Sequence, residues 1–64
     1  MNLPEHCQRV EFIPNGCKHP VVGIFYYVVD PWFHGPHNGW KAKQVTEWRG
    51  VDETEWTQIG GEND

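Results

Sequence analysis

Two cysteines and four histidines are the residues of this 64-residue chain with the most chemistry to offer. Cys7, Cys17, His19, His34 and His37, with His6 beside Cys7, supply enough sulfur and imidazole for a tetrahedral zinc site. A metal would suit so short a chain, because zinc binding adds directly to folding free energy. The spacing speaks against it. Structural zinc ligands come in tight pairs such as C-x2-C, whereas nine residues lie between Cys7 and Cys17. His34 and His37 are close enough, but Gly35-Pro36 between them is ordinary loop punctuation. The expected cofactor is therefore none, and a zinc-stabilised module using Cys7, Cys17 and two of His19, His34 and His37 is the alternative.

A Cys7–Cys17 disulfide would close a small loop and contribute about 2–3 kcal/mol in an oxidising compartment. The start of the chain, Met1 to His6, has neither the basic flank nor the apolar run of a secretory leader, so the expectation is a cytoplasmic protein with reduced thiols. The longest apolar run, Val21 to Val29, is about half of what a membrane helix needs. Catalysis finds little to work with. There is no serine, so every serine-based triad is excluded, and Cys17-x-His19 and His6-Cys7 are neighbours in sequence only. A carboxylate pair would have to come from scattered Glu5, Glu11, Asp30 or Glu47. The chain reads as a protein that is not an enzyme.

Aromatic residues are the stronger lead. Four Trp, three Phe and two Tyr stand beside one leucine and one alanine, and a chain this size buries only about 60 % of its unfolded surface. Rings should be left over for a partner, where a single exposed aromatic can dominate affinity. Trp32, Phe33 and Trp40 bracket the loop that holds His34 and His37, so Trp32, Phe33, His34, His37 and Trp40 form the expected partner-binding site. Phe12, Phe25, Tyr27 and Trp48 are assigned to core packing and cross-strand pairing. An aromatic cage for a cation could draw on the same loop-flanking rings. Stacking of single-stranded nucleic acid is a further alternative, weakened by charge. Residues 1–50 hold five basic and four acidic groups, while Asp52, Glu53, Glu55, Glu62 and Asp64 follow with no base, and no basic stripe appears.

The elements that must position these residues are mainly β, with a small α+β arrangement as the variant. Seven valines, three isoleucines and three threonines favour strands, and helix formers are scarce. Arg9 to Ile13 alternates with Val10 and Phe12 on one face, and Pro14-Asn15-Gly16 turns the chain. Val21 to Val29 is apolar on both faces and predicts a central strand covered at least partly on both sides, ended by Asp30-Pro31. His34 to Gly39 predicts a loop. Trp40 to Trp48 predicts a third strand, with a short helix over Lys41–Arg49 as its rival. Thr46-Glu47-Trp48 recurs as Thr54-Glu55-Trp56, which suits a hairpin turning near Gly50 to Glu53, with a last strand over Trp56 to Ile59. The expected architecture is a three- to four-stranded antiparallel meander in one small domain spanning residues 1–64, with 60–64 a frayed acidic tail.

The order Val21-Val22, then Asn38-Gly39-Trp40, then Glu53-Thr54-Glu55-Trp56-Thr57-Gln58-Ile59 resembles a family of small phage and prophage proteins of unknown function. Those proteins have an early strand, a central G-W and a closing V-T-H-W-M-P-L-P segment. The resemblance covers about residues 9–59. Glu55 stands where the family has histidine, and Gly60-Gly61 follows Ile59 where the family has proline. The resemblance implies a phage or prophage accessory protein and assigns no catalytic residue. Together with the aromatic excess, it gives the expected function: a non-catalytic small protein that binds and modulates a host protein.

Overall fold

The computed structural model describes residues 2–59, so the expected frayed tail at 60–64 lies outside the described residues. Six antiparallel strands form one sheet: β1 (Gln8–Pro14), β2 (Val21–Tyr27), β3 (Pro31–His34), β4 (Gly39–Lys41), β5 (Val45–Gly50) and β6 (Thr57–Gln58), in spatial order β4-β3-β2-β1-β5-β6. The fold is mainly β, as composition requires, with two more strands than the upper expectation. The first four strands are a meander, and the fifth returns to pair with the free side of β1.

The sheet curls into a half-barrel. Strands sit about 4.8 Å apart, so Phe12 on β1 and Trp40 on β4 would be about 14 Å apart on a flat sheet. Their ring centroids are 5.5 Å apart, and Phe12 lies 5.0 Å from Phe33 on β3. Only a sheet closing over its inner face brings these rings together. That face holds Val10, Phe12, Phe25, Phe33, Ala42, Val45 and Trp48, all buried, with Leu3, Val21, Trp40 and Ile59 packed against them. Phe25 and Phe33 are a directly opposed pair with ring centroids 4.8 Å apart.

Gly23 is what allows the curl. A Cβ built there would lie 1.9 Å from the carbonyl oxygen of His34, so β3 crosses β2 at a distance no side chain permits.

Two expected elements are corrected. The stretch from Trp40 to Trp48 is neither one strand nor a helix over Lys41–Arg49. β4 ends at Lys41, a single 3-10 turn covers Ala42–Gln44, and β5 begins at Val45. The chain must here leave one edge of the sheet and pass to the far side of β1, which a continuous strand cannot do. The turn is pinned from both sides. Ala42 is buried, the Lys41 N–H donates to Gln44 Oε1 (3.0 Å), and the Asn15 N–H donates to the Gln44 carbonyl (2.8 Å). Asn15 Nδ2 donates to the Lys43 carbonyl (3.3 Å), while Thr46 Oγ1 donates to Asn15 Oδ1 (2.8 Å). The β1–β2 turn thus holds the crossover, and Gly16 at φ 82° supplies its left-handed residue.

The second correction concerns residues 28 to 39. The long apolar run ends as a strand at Tyr27, and Tyr27 pairs with Pro31 across a three-residue loop of Val28, Val29 and Asp30. Pro31 to His34 is itself a strand, so the expected loop shrinks to the connection between His34 and Gly39. A proline at the first position of a strand is compatible with the ladder. The β5–β6 hairpin forms, with Trp48 opposite Thr57 and Glu47 opposite Gln58, but β6 is only Thr57–Gln58 and the second Thr-Glu-Trp copy, Thr54 to Trp56, lies in the connection and not in the paired arm.

Candidate functional site

Pleating decides which of the loop-flanking residues can meet a partner. Successive strand side chains alternate between faces, so Trp32 and His34 point outward while Phe33 points into the half-barrel. Phe33 is completely buried and has no surface to present; its place in the expected site is corrected to the core. Trp40, opposite Phe33 on β4, also faces inward and packs its ring on Phe12. It is a wall of the core, not a free contact. His37 is exposed in the β3–β4 connection. The expected five-residue cluster is thereby divided between two faces and a loop.

The outer face assembles a different ring group. Tyr26 on β2 is paired directly with Trp32, and the rings of Tyr26 and His34 meet edge to face at 5.0 Å. His6 approaches Tyr26 from the other side at 6.0 Å, and Trp32 lies 6.2 Å from His34. The Lys41 ammonium stands 5.7 Å from the centroid of the Trp32 ring. The exposed His6 is held by a backbone contact: its Nδ1 accepts the N–H of Tyr27 (3.0 Å). A shallow groove of about 300 Å³ runs between Arg9, Ile24, Tyr26, His34 and Pro36.

The hairpin tip between β2 and β3 is the more unusual surface. Val28 and Val29 are 78 % and 82 % exposed, next to Tyr27 at 50 %. Cover of the run from Val21 to Val29 is partial: Phe25 is buried and Ile24 half-buried, whereas Val22 and Tyr26 on the outer face are 52 % and 36 % exposed. Three-residue hairpin loops normally carry glycine or asparagine at a left-handed position. This one has neither, and none of its residues has positive φ. A turn that spends its positions on exposed β-branched side chains departs from local rules in the way functional sites do. The sequence signal for it was the absence of glycine before Asp30-Pro31, hidden because the valines also extend a strand-like run.

The metal-ligand candidates are not gathered. Cys7 precedes β1 and Cys17 follows it, so a strand of seven residues, about 23 Å of extended chain, separates them. Both thiols are free and exposed. Among the described residues no group of three or more His, Cys, Asp or Glu side chains converges on a point. The Cys7–Cys17 disulfide and the zinc set of Cys7, Cys17, His19, His34 and His37 are both corrected on this geometry, since zinc needs its ligands within about 2.3 Å. Cys7 instead occupies a left-handed conformation (φ 68°) at the turn that feeds β1, with its N–H donating to the Phe25 carbonyl (2.7 Å).

Charge is unevenly spread over the sheet. The Arg49–Glu11 pair at 2.8 Å is the one salt bridge among the described residues; Arg49 also lies over the Trp56 ring at 4.6 Å and donates to the Thr54 carbonyl. Among the described residues no helix is long and apolar enough to cross a membrane. Compared with protein-family models, curated proteins and solved structures, the chain matches none.

Proposed function

We propose that this chain is a non-catalytic binding module that presents the β2–β3 hairpin tip to a folded protein partner. Following the phage resemblance, the partner is a host protein in the host cytoplasm whose activity the module modulates. The observation that carries the reading is the pair Val28-Val29, 78 % and 82 % exposed side by side on a protruding turn. Fully burying a valine is worth about 1.5–3 kcal/mol, so two of them with Tyr27 form an adequate centre for a contact. Ordering costs little, because the tip is already held by the Tyr27–Pro31 pair and by the hydrogen bond from the Tyr27 N–H to His6 Nδ1. A convex, apolar, pre-ordered tip suits a concave apolar cleft on the partner.

The test compares the wild type with a V28D/V29D double variant in crosslinking and pull-down from host cells, with thermal unfolding as the fold control. The expected result is one or more host proteins held by the wild type and by Trp32→Ala but lost from the double variant, with unfolding unchanged. Equal capture by the double variant, or no capture at all, would refute the assignment. A wild-type dimer that the double variant abolishes would give the tip to self-association instead.

A further inference from the structure

Two of the four asparagines are followed by glycine, as Asn15-Gly16 and Asn38-Gly39. In this dipeptide the asparagine side chain is most open to attack by the next backbone nitrogen, because glycine has no Cβ to shield it. Both asparagines are exposed, so access to water does not separate them. Hydrogen bonding does. The Asn15 N–H donates to the Gln44 carbonyl (2.8 Å), its Nδ2 donates to the Lys43 carbonyl (3.3 Å), and its Oδ1 accepts from Thr46 Oγ1 (2.8 Å). The peptide bond to Gly16 lies inside a turn closed by the Cys17 N–H on the Pro14 carbonyl (3.0 Å). Asn38, by contrast, makes no side-chain hydrogen bond among the described residues, and its carbonyl accepts the Gly35 N–H (2.8 Å). The Gly39 nitrogen is equally accessible. β4 is an edge strand, and its Lys41 N–H donates away from β3, to Gln44 Oε1. Backbone groups alternate in direction along an antiparallel strand, so Gly39, two residues earlier, also turns its N–H away from the ladder.

We infer that Asn38 is a self-modification site, converted by its own backbone to aspartate and isoaspartate, while the clasp that Asn15 forms on the crossover protects Asn15. The Gly39 nitrogen gives up its proton and bonds to Asn38 Cγ. The Cγ–Nδ2 bond breaks, and Nδ2 takes up a proton and leaves as ammonia. Water then opens the cyclic imide at either carbonyl: cleavage at Cγ gives aspartate, and cleavage at the backbone carbonyl gives isoaspartate. One water enters for each ammonia lost, and no oxidant or reductant is needed. Either product places a new carboxylate in the β3–β4 connection beside His37, and isoaspartate lengthens the backbone by one carbon just ahead of β4. The inference is independent of the hairpin-tip reading, which concerns Tyr27, Val28 and Val29.

The experiment incubates the full chain in neutral buffer for weeks and follows Asn15 and Asn38 by peptide mapping with mass spectrometry, isoaspartate being separated from aspartate by chromatography. Two side-chain hydrogen bonds must open before Asn15 reacts, each slowing it roughly two- to tenfold, so Asn38 should convert about tenfold faster or more. In urea strong enough to unfold the chain, the two rates should come within about threefold of each other, because only local sequence then acts. Thr46→Ala, at an exposed position, removes one of the two bonds and should speed Asn15 about two- to tenfold with Asn38 unchanged. Gly39→Ala should slow Asn38 about tenfold or more and leave Asn15 as it is. Equal rates in the folded protein, or conversion of Asn38 only in urea, overturns the inference. So does an Asn38 indifferent to Gly39→Ala or an Asn15 indifferent to Thr46→Ala.

Discussion

Replacing Gly23 with alanine tests the packing logic of the whole half-barrel. A Cβ at this position would stand 1.9 Å from the His34 carbonyl oxygen, 2.8 Å from its carbonyl carbon and 3.1 Å from the Gly35 Cα. All three are backbone atoms, so no rotamer change relieves the clash. The His34 carbonyl has to retreat by more than about 1 Å, and it belongs to the residue that pairs with Ile24 at the end of the β2–β3 ladder. Losing up to two ladder bonds there costs about 1 kcal/mol each. Phe33, next in the chain and completely buried, is displaced with it, which adds about 1–3 kcal/mol for a strained core. The sum, about 3–5 kcal/mol, compares with a total stability of about 3–10 kcal/mol for a chain of this length. Gly23→Ala should therefore lose from about a third to all of its stability at 25 °C. Urea titration followed by tryptophan fluorescence and far-UV circular dichroism reads this directly. Gly39→Ala is the control: its Cβ would meet only side-chain atoms at 3.5 and 3.6 Å, ordinary contact, and stability should stay within about 0.5 kcal/mol of wild type. A Gly23→Ala protein that unfolds cooperatively with a loss under about 1 kcal/mol would refute the argument that glycine permits the close crossing of β2 and β3.

Trp40→Ala should cost about 2–4 kcal/mol in the same titration, because its ring packs on Phe12, whereas the outward Trp32→Ala should cost about 1 kcal/mol or less; equal losses would contradict the assignment of faces. Cys7→Gly should raise stability by up to about 1 kcal/mol, since removing a left-handed non-glycine residue relieves about 1–2 kcal/mol and the extra freedom of the unfolded chain returns part of it; a loss would mean that the φ of 68° carries no strain. Both thiols should react with a disulfide reagent in the folded protein, and a chelator should leave the unfolding temperature unchanged; protection of either thiol until denaturation would contradict their exposure.

Much of the fold was written in the chain. The β-branched and aromatic excess determined the class, the alternation of Val10 and Phe12 determined the first strand and its inner face, and Asn15-Gly16 determined the first turn. The closing hairpin was legible too, although its paired arm is Thr57–Gln58 and not the second Thr-Glu-Trp copy that suggested it. Each of these is a local preference that the backbone obeys wherever it is placed.

Tertiary structure decided the rest. β3 and β4 are four and three residues long, too short for a period to show, and they exist because a curling sheet supplies partners for their backbone groups. The 3-10 turn at Ala42–Gln44 interrupts a strand-like sequence because the chain must cross from β4 to the far side of β1. The expected contact site came apart for the same kind of reason. Closeness along the chain placed Trp32, Phe33 and Trp40 together, but strand alternation sends Trp32 to one face and Phe33 to the other, and register with Phe33 takes Trp40 inward. Val28 and Val29 read as core by type, and a hairpin loop left them in water. Residue type sets which side chains could bury or bind; only the register and curl of the sheet set which of them face outward.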